Sequence, residues 1–240
     1  MSFAFLSPTA AGVVARSPME RQARAAGARF EVRDGWNVAV GYAAESRGRV
    51  TFAFLSPTAA DVVARSPMER QARAAGARFE VRDGWNVAVG YAAEARGGVT
   101  FADCSHIRKY ELQGELPPLE LGRATVDGDS TWLPMTPTRA LVLGGERPDG
   151  ALDVTTGFAA LRLAGPLARE TFARFTAIDL RPQVTRPGDW RPGSVARTPG
   201  GILCEAGDRY LMLFGAAVGQ YVWTVVEDAA RHLGGGPPGA

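Results

Sequence analysis

The run Asp103-Cys104-Ser105-His106 is the most suggestive cluster of chemically active residues in the sequence. A cysteine or serine near a histidine is typical of nucleophilic catalysis, in which the histidine removes the proton of the nucleophile. Residues 101–112 alternate imperfectly between apolar and polar types and predict a strand, whose neighbouring side chains point to opposite faces. Cys104 and His106 would then share a face without Ser105, and no third residue to orient the histidine can be identified. We therefore expect no catalytic residue here.

The sequence also lacks the spacing of a metal or nucleotide site. Its two cysteines, Cys104 and Cys204, lie 100 positions apart, and its two histidines are His106 and His232. This spacing gives neither a disulfide framework nor a zinc motif, because a structural zinc ion needs four ligands. The paired and tripled glycines form neither G-x-G-x-x-G nor a Walker loop. We expect no metal ligand and no nucleotide-binding loop.

Composition narrows the classes of partner. The chain has 240 residues, 46% of them hydrophobic and 22% charged, with a net charge of +2. That balance is sufficient for a packed core and argues against intrinsic disorder and against a polyanionic partner. Arg65, Arg70 and Arg73 could form a basic patch on one helix, but Glu69 and the low net charge favour a solvated helix face over nucleic-acid binding.

One uncharged stretch, residues 210–226, approaches the length of a membrane span. It lies at the short end of the range for crossing a bilayer, and it changes its hydrophobic period midway. That change predicts a strand followed by a helix. We therefore expect a cytoplasmic protein without a membrane segment.

The most specific feature is a repeat. Residues 3–51 (copy one) and 52–100 (copy two) are identical at 46 of 49 aligned positions. The three differences are Gly12/Asp61, Ser46/Ala95 and Arg49/Gly98. Stable solenoids usually need three or more repeats, so two copies favour a recent duplication. Since copy two runs directly into the rest of the chain, its loop closure costs less, and we expect it to occupy the fold. The N-terminal segment 1–51, which contains copy one, would be peripheral, poorly ordered or swapped onto a neighbour.

Capping and turn signals give the elements of copy two. A short helix is expected at 58–65, and a second helix begins with Ser66 as its N-cap and ends at Gly76. The pair Asp83-Gly84 predicts a hairpin turn between strands.

The remaining chain alternates strands with a few helices. Further expected elements are strands at 101–112, 132–133, 140–143, 159–164, 194–197, 201–205 and 210–214, helices at 166–178 and 218–233, a loop at 114–128 and an irregular connector at 182–193. This order predicts an α+β domain at 52–233, with antiparallel sheets covered on one face by helices. It would comprise modules at about 52–150 and 151–233, followed by a disordered tail at 234–240.

Two ordered sets of motifs resemble the folate-binding aminomethyltransferase superfamily, which includes the glycine-cleavage T-protein and subunits of sarcosine oxidase. The motifs are G-A-R at 76–78, D-G-W at 83–85, D-C-S-H-I at 103–107, L-R-L-A-G-P at 161–166, A-I-D-L at 177–180 and D-R-Y-L-M-L at 208–213. The resemblance covers most of residues 66–233 and implies the fold of that superfamily.

The sequence departs from the superfamily at the residues that would handle folate. A carboxylate pair follows a G-G-I turn in T-proteins, whereas here Gly200-Gly201-Ile202-Leu203 precedes Cys204-Glu205, so Glu205 is the one candidate left for a folate site. An Asn often follows the D-R-Y-L strand, and here that residue is Gly215. A lost hydrogen-bonding partner would cost a buried pterin about 1–3 kcal/mol.

The short chain and these substitutions are most similar to the gamma-subunit family of heterotetrameric sarcosine oxidase. The resemblance implies a non-catalytic subunit of a complex that demethylates sarcosine to glycine and passes the one-carbon unit to tetrahydrofolate. Larger partner subunits would bind the flavins and the folate, and this chain would bind no cofactor alone. Two alternatives remain: a freestanding folate-dependent aminomethyl or methyl transferase that uses Glu205, and an interaction module built on the tandem repeat.

Overall fold

The computed structural model describes residues 15–16, 20–25, 27–33, 36–42, 63–91 and 98–237. The chain divides into two compact units, residues 1–59 and 60–240. The first five residues of the helix expected at 58–65 lie outside the described part.

The described residues of the first unit form a small mixed sheet and one short helix. Its elements are β1 (Ala15–Arg16), α1 (Glu20–Ala25), β2 (Ala28–Arg33) and β3 (Trp36–Tyr42). The strand order is β1-β3-β2, with β3 antiparallel to β2 and parallel to β1. In α1, Arg24 Nε donates to Glu20 Oε1 at 2.8 Å, an i, i+4 pair that supports a short helix.

The second unit starts with the same arrangement in copy two. Its elements are β4 (Ala64–Arg65), α2 (Glu69–Ala74), β5 (Ala77–Arg82) and β6 (Trp85–Tyr91), in the order β4-β6-β5. The predicted hairpin is confirmed, because Asp83 and Gly84 both have positive φ, as a type I′ turn requires. Gly76 ends the helix with φ 82°, as predicted. The helix expected at 58–65 is wrong at its described end, because Ala64 and Arg65 pair with β6 as a parallel strand.

Twelve further strands and α-helices follow in the described part of the second unit, besides two short 3-10 helices at Thr155–Gly157 and Ala216–Val218. They are β7 (Thr100–Asp103), β8 (Lys109–Gln113), β9 (Thr125–Asp127), β10 (Ser130–Thr136), β11 (Arg139–Gly144), β12 (Leu152–Asp153), β13 (Phe158–Ala164), α3 (Ala168–Phe172), β14 (Trp190–Val195), β15 (Thr198–Ala206), β16 (Arg209–Gly215) and α4 (Gly219–Arg231). They form two antiparallel five-stranded sheets: the first sheet has the order β12-β8-β11-β10-β9, and the second sheet has the order β14-β15-β16-β13-β7. The predicted α+β class is confirmed.

The second sheet is covered on both faces, as its period-2 pattern shows. Along β16, Tyr210, Met212 and Phe214 pack with the helices, whereas Leu211 and Leu213 pack with leucines of the first sheet. Because every second side chain points the same way, a continuous apolar run is buried between two layers. The helices therefore lie on one face of the second sheet, and the first sheet lies on the other.

The largest core cluster joins the second sheet to α2, α3 and α4. Trp223 of α4 is 1% exposed and meets the ring of Phe101 edge-on, with ring centroids 5.0 Å apart. Tyr91 at the end of β6 is also close to Trp223, with ring centroids 6.4 Å apart. The helix expected at 218–233 is confirmed as α4, whose Val222, Val226 and Ala230 are buried in this cluster.

Four expected elements are wrong in extent. The single strand expected at 101–112 is two strands, β7 and β8, which belong to different sheets. The helix expected at 166–178 ends at Phe172, because Thr176 bridges to Val195 and its hydroxyl donates to the carbonyl of Ser194. The loop expected at 114–128 contains β9, and the connector expected at 182–193 ends in β14.

The expected tail at 234–240 is described as far as residue 237. Gly236 bridges to Thr100 of β7, and its carbonyl accepts from the Phe101 amide at 3.2 Å.

The longest described helix is α4, of 13 residues, and the described part of the chain contains no helix long and apolar enough to cross a bilayer.

Candidate functional site

The chemically active residues lie in the turn that carries the chain from the second sheet to the first. We call residues 103–109 the inter-sheet turn. Asp103 Oδ1 accepts from the Ser105 amide at 2.9 Å, and the Ile107 amide donates to the Cys104 carbonyl at 3.1 Å. These bonds bend the backbone immediately after β7, as Asp side chains do in turns. The strand expected across Cys104, Ser105 and His106 is therefore wrong. Because these residues lie in a turn, the alternation of a strand does not tell which of their side chains share a face.

Ser105 is committed to holding the turn against the second sheet. Its side chain is buried, and its Oγ accepts from the Ala160 amide at 3.2 Å. The Cys104 amide donates to the Ala160 carbonyl at 2.9 Å. Both polar groups of Ala160 are thus used to anchor the inter-sheet turn, which gives Ser105 a structural role.

Lys109 is the sole lysine of the chain and is fully buried. Its Nζ donates to the carbonyls of Ser105 and Ile107, each at 2.8 Å. Its backbone amide donates to the Thr155 hydroxyl at 3.0 Å. Burial lowers the pKa of this ammonium to about 8, because removal from water disfavours the charged form. Lys109 therefore closes the inter-sheet turn by satisfying two carbonyls that would otherwise be buried without donors.

Cys104 is a poor nucleophile in this environment. Burial raises the pKa of its thiol to about 11, so the thiol is protonated at neutral pH. Its nearest cationic contact is Arg162 of β13, whose Nη1 lies 3.4 Å from the sulfur. Burial likewise lowers the pKa of His106, so its imidazole is neutral at pH 7. Among the described residues, no hydrogen bond joins the side chains of Cys104 and His106.

Glu205, the candidate folate residue, is held by arginines. Arg162 Nε donates to its Oε2 at 2.7 Å and Arg162 Nη2 donates to its Oε1 at 2.8 Å, a bidentate pair. Arg209 Nε lies 3.3 Å from the same Oε2. The Glu205 side chain is 17% exposed. Because both carboxylate oxygens are engaged, this group fits an ion-pair role and does not fit the recognition of pterin nitrogens.

Cys204 and Gly215, the other two positions at which the sequence departs from the superfamily, supply no side chain that could take the place of Glu205 in a folate site. Cys204 is buried on the helix side of the second sheet, and its pKa is raised by burial. Gly215 ends β16 beside open space, since a side chain there would meet nothing within 4 Å. An asparagine would fit sterically at this position, but glycine supplies no amide. The residues present at these three positions therefore do not fit a bound folate.

The Gly200-Gly201 pair lies inside β15 and not in a turn. A side-chain carbon on Gly201 would lie 2.2 Å from Cη2 of Trp190, which is 1% exposed. The indole thus packs directly on the Gly201 backbone, on the face of the second sheet that meets the first. The turn expected between strands 194–197 and 201–205 is misplaced: β15 begins at Thr198, and the turn before it is formed by Ala196 and Arg197, both with positive φ. Glycine at 201 is needed for close packing.

A surface cavity of about 410 Å³ lies elsewhere, beside α3. Its lining is formed by residues 169–170, 172–173 and 176–182. Glu205, Gly215 and the inter-sheet turn are not part of that lining. Within the described ranges, no cluster of three or more His, Cys, Asp and Glu side chains has the arrangement of a metal site.

Two of the residues expected to form a basic patch on one helix, Arg73 of α2 and Arg65 of strand β4, are partly neutralised by Glu69. Arg73 Nη2 lies 2.8 Å and Arg65 Nη1 lies 3.6 Å from Glu69 Oε1. Arg73 also stacks over the ring of Phe79, 4.4 Å from its centroid.

Comparison with known proteins supports the fold. A scan against protein-family models gave no match, and a search of curated proteins gave none either. Among solved structures, the chain is similar to a heterotetrameric sarcosine oxidase from Corynebacterium sp. U-96 in complex with pyrrole 2-carboxylate, with a TM-score of 0.58 and 18% identity over 71% of this chain and 96% of that chain. It is also similar to the glycine cleavage system aminomethyltransferase T from Bartonella henselae, with a TM-score of 0.53 and 15% identity over 68% of this chain and 57% of that chain.

These likenesses show a T-protein-like fold over about 70% of the chain. The chain spans nearly all of the matched sarcosine oxidase chain but little more than half of the aminomethyltransferase. The fold expected from the motif order is therefore confirmed at this level.

Sequence reasoning missed the two cations that organise the site. Lys109 was noticeable as the single lysine, and Arg162 as the single charge in the apolar strand F-A-A-L-R-L-A. A charge inside a buried strand usually requires a partner, and that rule would have pointed to an acidic residue. It would not have identified Glu205, because the contact depends on the placement of β13 and β15 on either side of β16.

Proposed function

We propose that this chain is the non-catalytic gamma-type subunit of a heterotetrameric sarcosine oxidase. In this role it contributes structure and contact surface to a complex that demethylates sarcosine and transfers the one-carbon unit to tetrahydrofolate. Larger partner subunits hold the flavins and the folate. The observation that carries the proposal is coverage: the chain matches 96% of one chain of a heterotetrameric sarcosine oxidase, a chain of similar extent to the second unit.

The contacts of the inter-sheet turn support a structural role. A catalytic acid, base or nucleophile needs a free atom and a suitable pKa. Here Glu205 is paired with Arg162, the Cys104 thiol is protonated, and the Lys109 ammonium is bound to two carbonyls. Lys109 and Glu205 are therefore committed to partners within the domain, and the Cys104 thiol is not ionised.

Co-purification tests the proposal directly. The full-length tagged chain is co-expressed with the other three subunits of a sarcosine oxidase, and eluted fractions are examined for flavin absorbance and subunit stoichiometry. We expect all four chains to co-elute in equal amounts, with flavin in the partner subunits. Elution of this chain alone, while the remaining three subunits assemble into an active enzyme, would refute the proposal.

The freestanding transferase is the second candidate, favoured by the likeness to aminomethyltransferase T. Calorimetric titration of the chain with tetrahydrofolate separates the two. We expect no binding in the micromolar range, because Glu205 is neutralised by arginines. Micromolar binding that is lost in Glu205→Gln would support the transferase and exclude the non-catalytic subunit.

A further inference from the structure

The two copies carry the same residues for packing into the domain. In copy two, Met68, Ala72 and Tyr91 are buried against the core formed with Trp223. The matching residues of copy one are Met19, Ala23 and Tyr42, identical in type. Because hydrophobic packing depends on residue type and shape, these positions give the domain no means of preferring one copy to the other.

Of the three positions that differ between the copies, Gly98 is the one within the described residues. It lies at the start of the segment leading into β7 and faces Leu167, which precedes α3. A side-chain carbon on Gly98 would lie 2.7 Å from Cγ and 2.9 Å from Cδ1 of Leu167. Real contacts of this kind are essentially never so short, so any larger residue requires Leu167 to move.

The backbone at Gly98 has no room to retreat. Its carbonyl accepts from the Leu167 amide at 2.9 Å. The same carbonyl oxygen would lie 2.3 Å from a side-chain carbon on Gly165, a residue with φ 120°. Two glycines thus allow the two segments to approach closely, and the hydrogen bond fixes their spacing. Copy one has Arg49 at the position of Gly98.

We propose that Gly98 determines which of the two nearly identical segments is built into the domain. Copy two fits because glycine leaves space for Leu167. Copy one, with arginine at this point, is excluded from the same place although its other packing residues match. Ala72 is fully buried, whereas the corresponding Ala23 is only partly buried, as this selection requires.

The direct connection of copy two to the rest of the chain also favours it over copy one. Two deletion variants, in which either copy is joined directly to residue 101, remove that difference. Removal of residues 3–51 and removal of residues 52–100 give chains of the same length with the same junctions, which differ only at the three mismatched positions. The first deletion keeps all of the second compact unit. We expect the chain that keeps Arg49 to have a folding equilibrium constant lower by about tenfold or more, the usual scale for overpacking a core.

Reversion identifies the residue responsible. In the chain lacking 52–100, Arg49→Gly is expected to restore the equilibrium constant to that of the other deletion, whereas Gly12→Asp and Ser46→Ala are not. Equal stability of the two deletions, or restoration by either control substitution, would overturn the proposal.

Thiol labelling tests the same point in the full chain. Single Ala72→Cys and Ala23→Cys probes lie in the same local sequence, and the native cysteines are buried. We expect slow labelling at 72 and fast labelling at 23. Adding Gly98→Arg should speed labelling at 72 by at least tenfold, while Gly157→Arg, at an exposed glycine with open space around it, should leave it unchanged. Unchanged labelling in Gly98→Arg, or equal effects of both arginines, would refute the selection.

Discussion

Replacement of Lys109 by methionine should change how the stability of the domain depends on pH. The ammonium is fully buried and its pKa falls from 10.5 to about 8 on folding. Between these two values the unfolded chain keeps a proton that the folded chain has lost. The unfolded state therefore binds more protons, and the free energy of unfolding rises with pH in this window. Methionine has a similar length and no proton to lose, so this contribution disappears in Lys109→Met.

The size of the effect follows from the two pKa values. Between pH 7 and pH 9 the folded lysine goes from mostly protonated to mostly neutral, while the unfolded lysine stays protonated. Linkage gives a stabilisation of about 1 kcal/mol for wild type over this interval. Cys104 acts with the opposite sign, because its raised pKa keeps the folded thiol protonated above pH 9 while the unfolded thiol ionises. Its contribution is nearly the same in both proteins and cancels in the difference.

Urea denaturation at pH 7 and pH 9, followed by tryptophan fluorescence, measures the effect. The quantity to compare is the unfolding free energy of wild type minus that of Lys109→Met, which should increase by about 1 kcal/mol between the two pH values. Arg108→Met is the matched control: it removes one positive charge from the neighbouring exposed position and should show no such change, because arginine stays charged throughout. A wild type-minus-variant difference that is flat with pH would refute the buried, titrating lysine.

Three further substitutions test the packing and the ion pair. Gly201→Ala would place a methyl group against the indole of Trp190, and we expect a loss of about 1–3 kcal/mol in unfolding free energy by urea titration; wild-type stability would contradict the close packing. Glu205→Gln leaves Arg162 without its carboxylate partner. A double-mutant cycle with Arg162→Met should give a coupling energy of about 1 kcal/mol, which is modest because the arginine is partly exposed. A coupling energy of zero would show that the pair is not maintained in solution. Trp223→Ala removes the aromatic centre of the core and should cost about 3–5 kcal/mol, with a matching fall in the thermal midpoint; a small change would place the core elsewhere.

Local sequence signals identified the elements that local interactions determine. Asp83-Gly84 marked a hairpin because a two-residue loop needs positive φ, and Gly76 marked a helix end for the same reason. The last helix could be predicted from its 3.6-residue period. The sequence could not show that residues 101–112 contain a turn, because that turn depends on Asp103 bonding to the Ser105 amide and on anchoring to Ala160 far along the chain.

The candidate site was harder to predict than the fold because its contacts join distant strands. Arg162 and Glu205 lie 43 positions apart, and Arg162 and Cys104 lie 58 positions apart. The family resemblance pointed to Glu205 but carried no information about the arginine that holds it. The exposed strand β9 was missed for a different reason: all three of its residues are exposed, so it has no hydrophobic alternation to detect.

The contacts of the inter-sheet turn connect the fold to the proposed loss of chemistry. A group can be catalytic only when one of its atoms is free to contact a substrate. The charged atoms of Lys109 and Glu205 are instead bound to partners within the domain. Breaking the Arg162–Glu205 pair to free the carboxylate would leave a partly buried guanidinium without its partner, which is costly in a protein interior. Stability and folate chemistry would therefore compete for Glu205, and its bidentate pairing with Arg162 supports the proposed non-catalytic role.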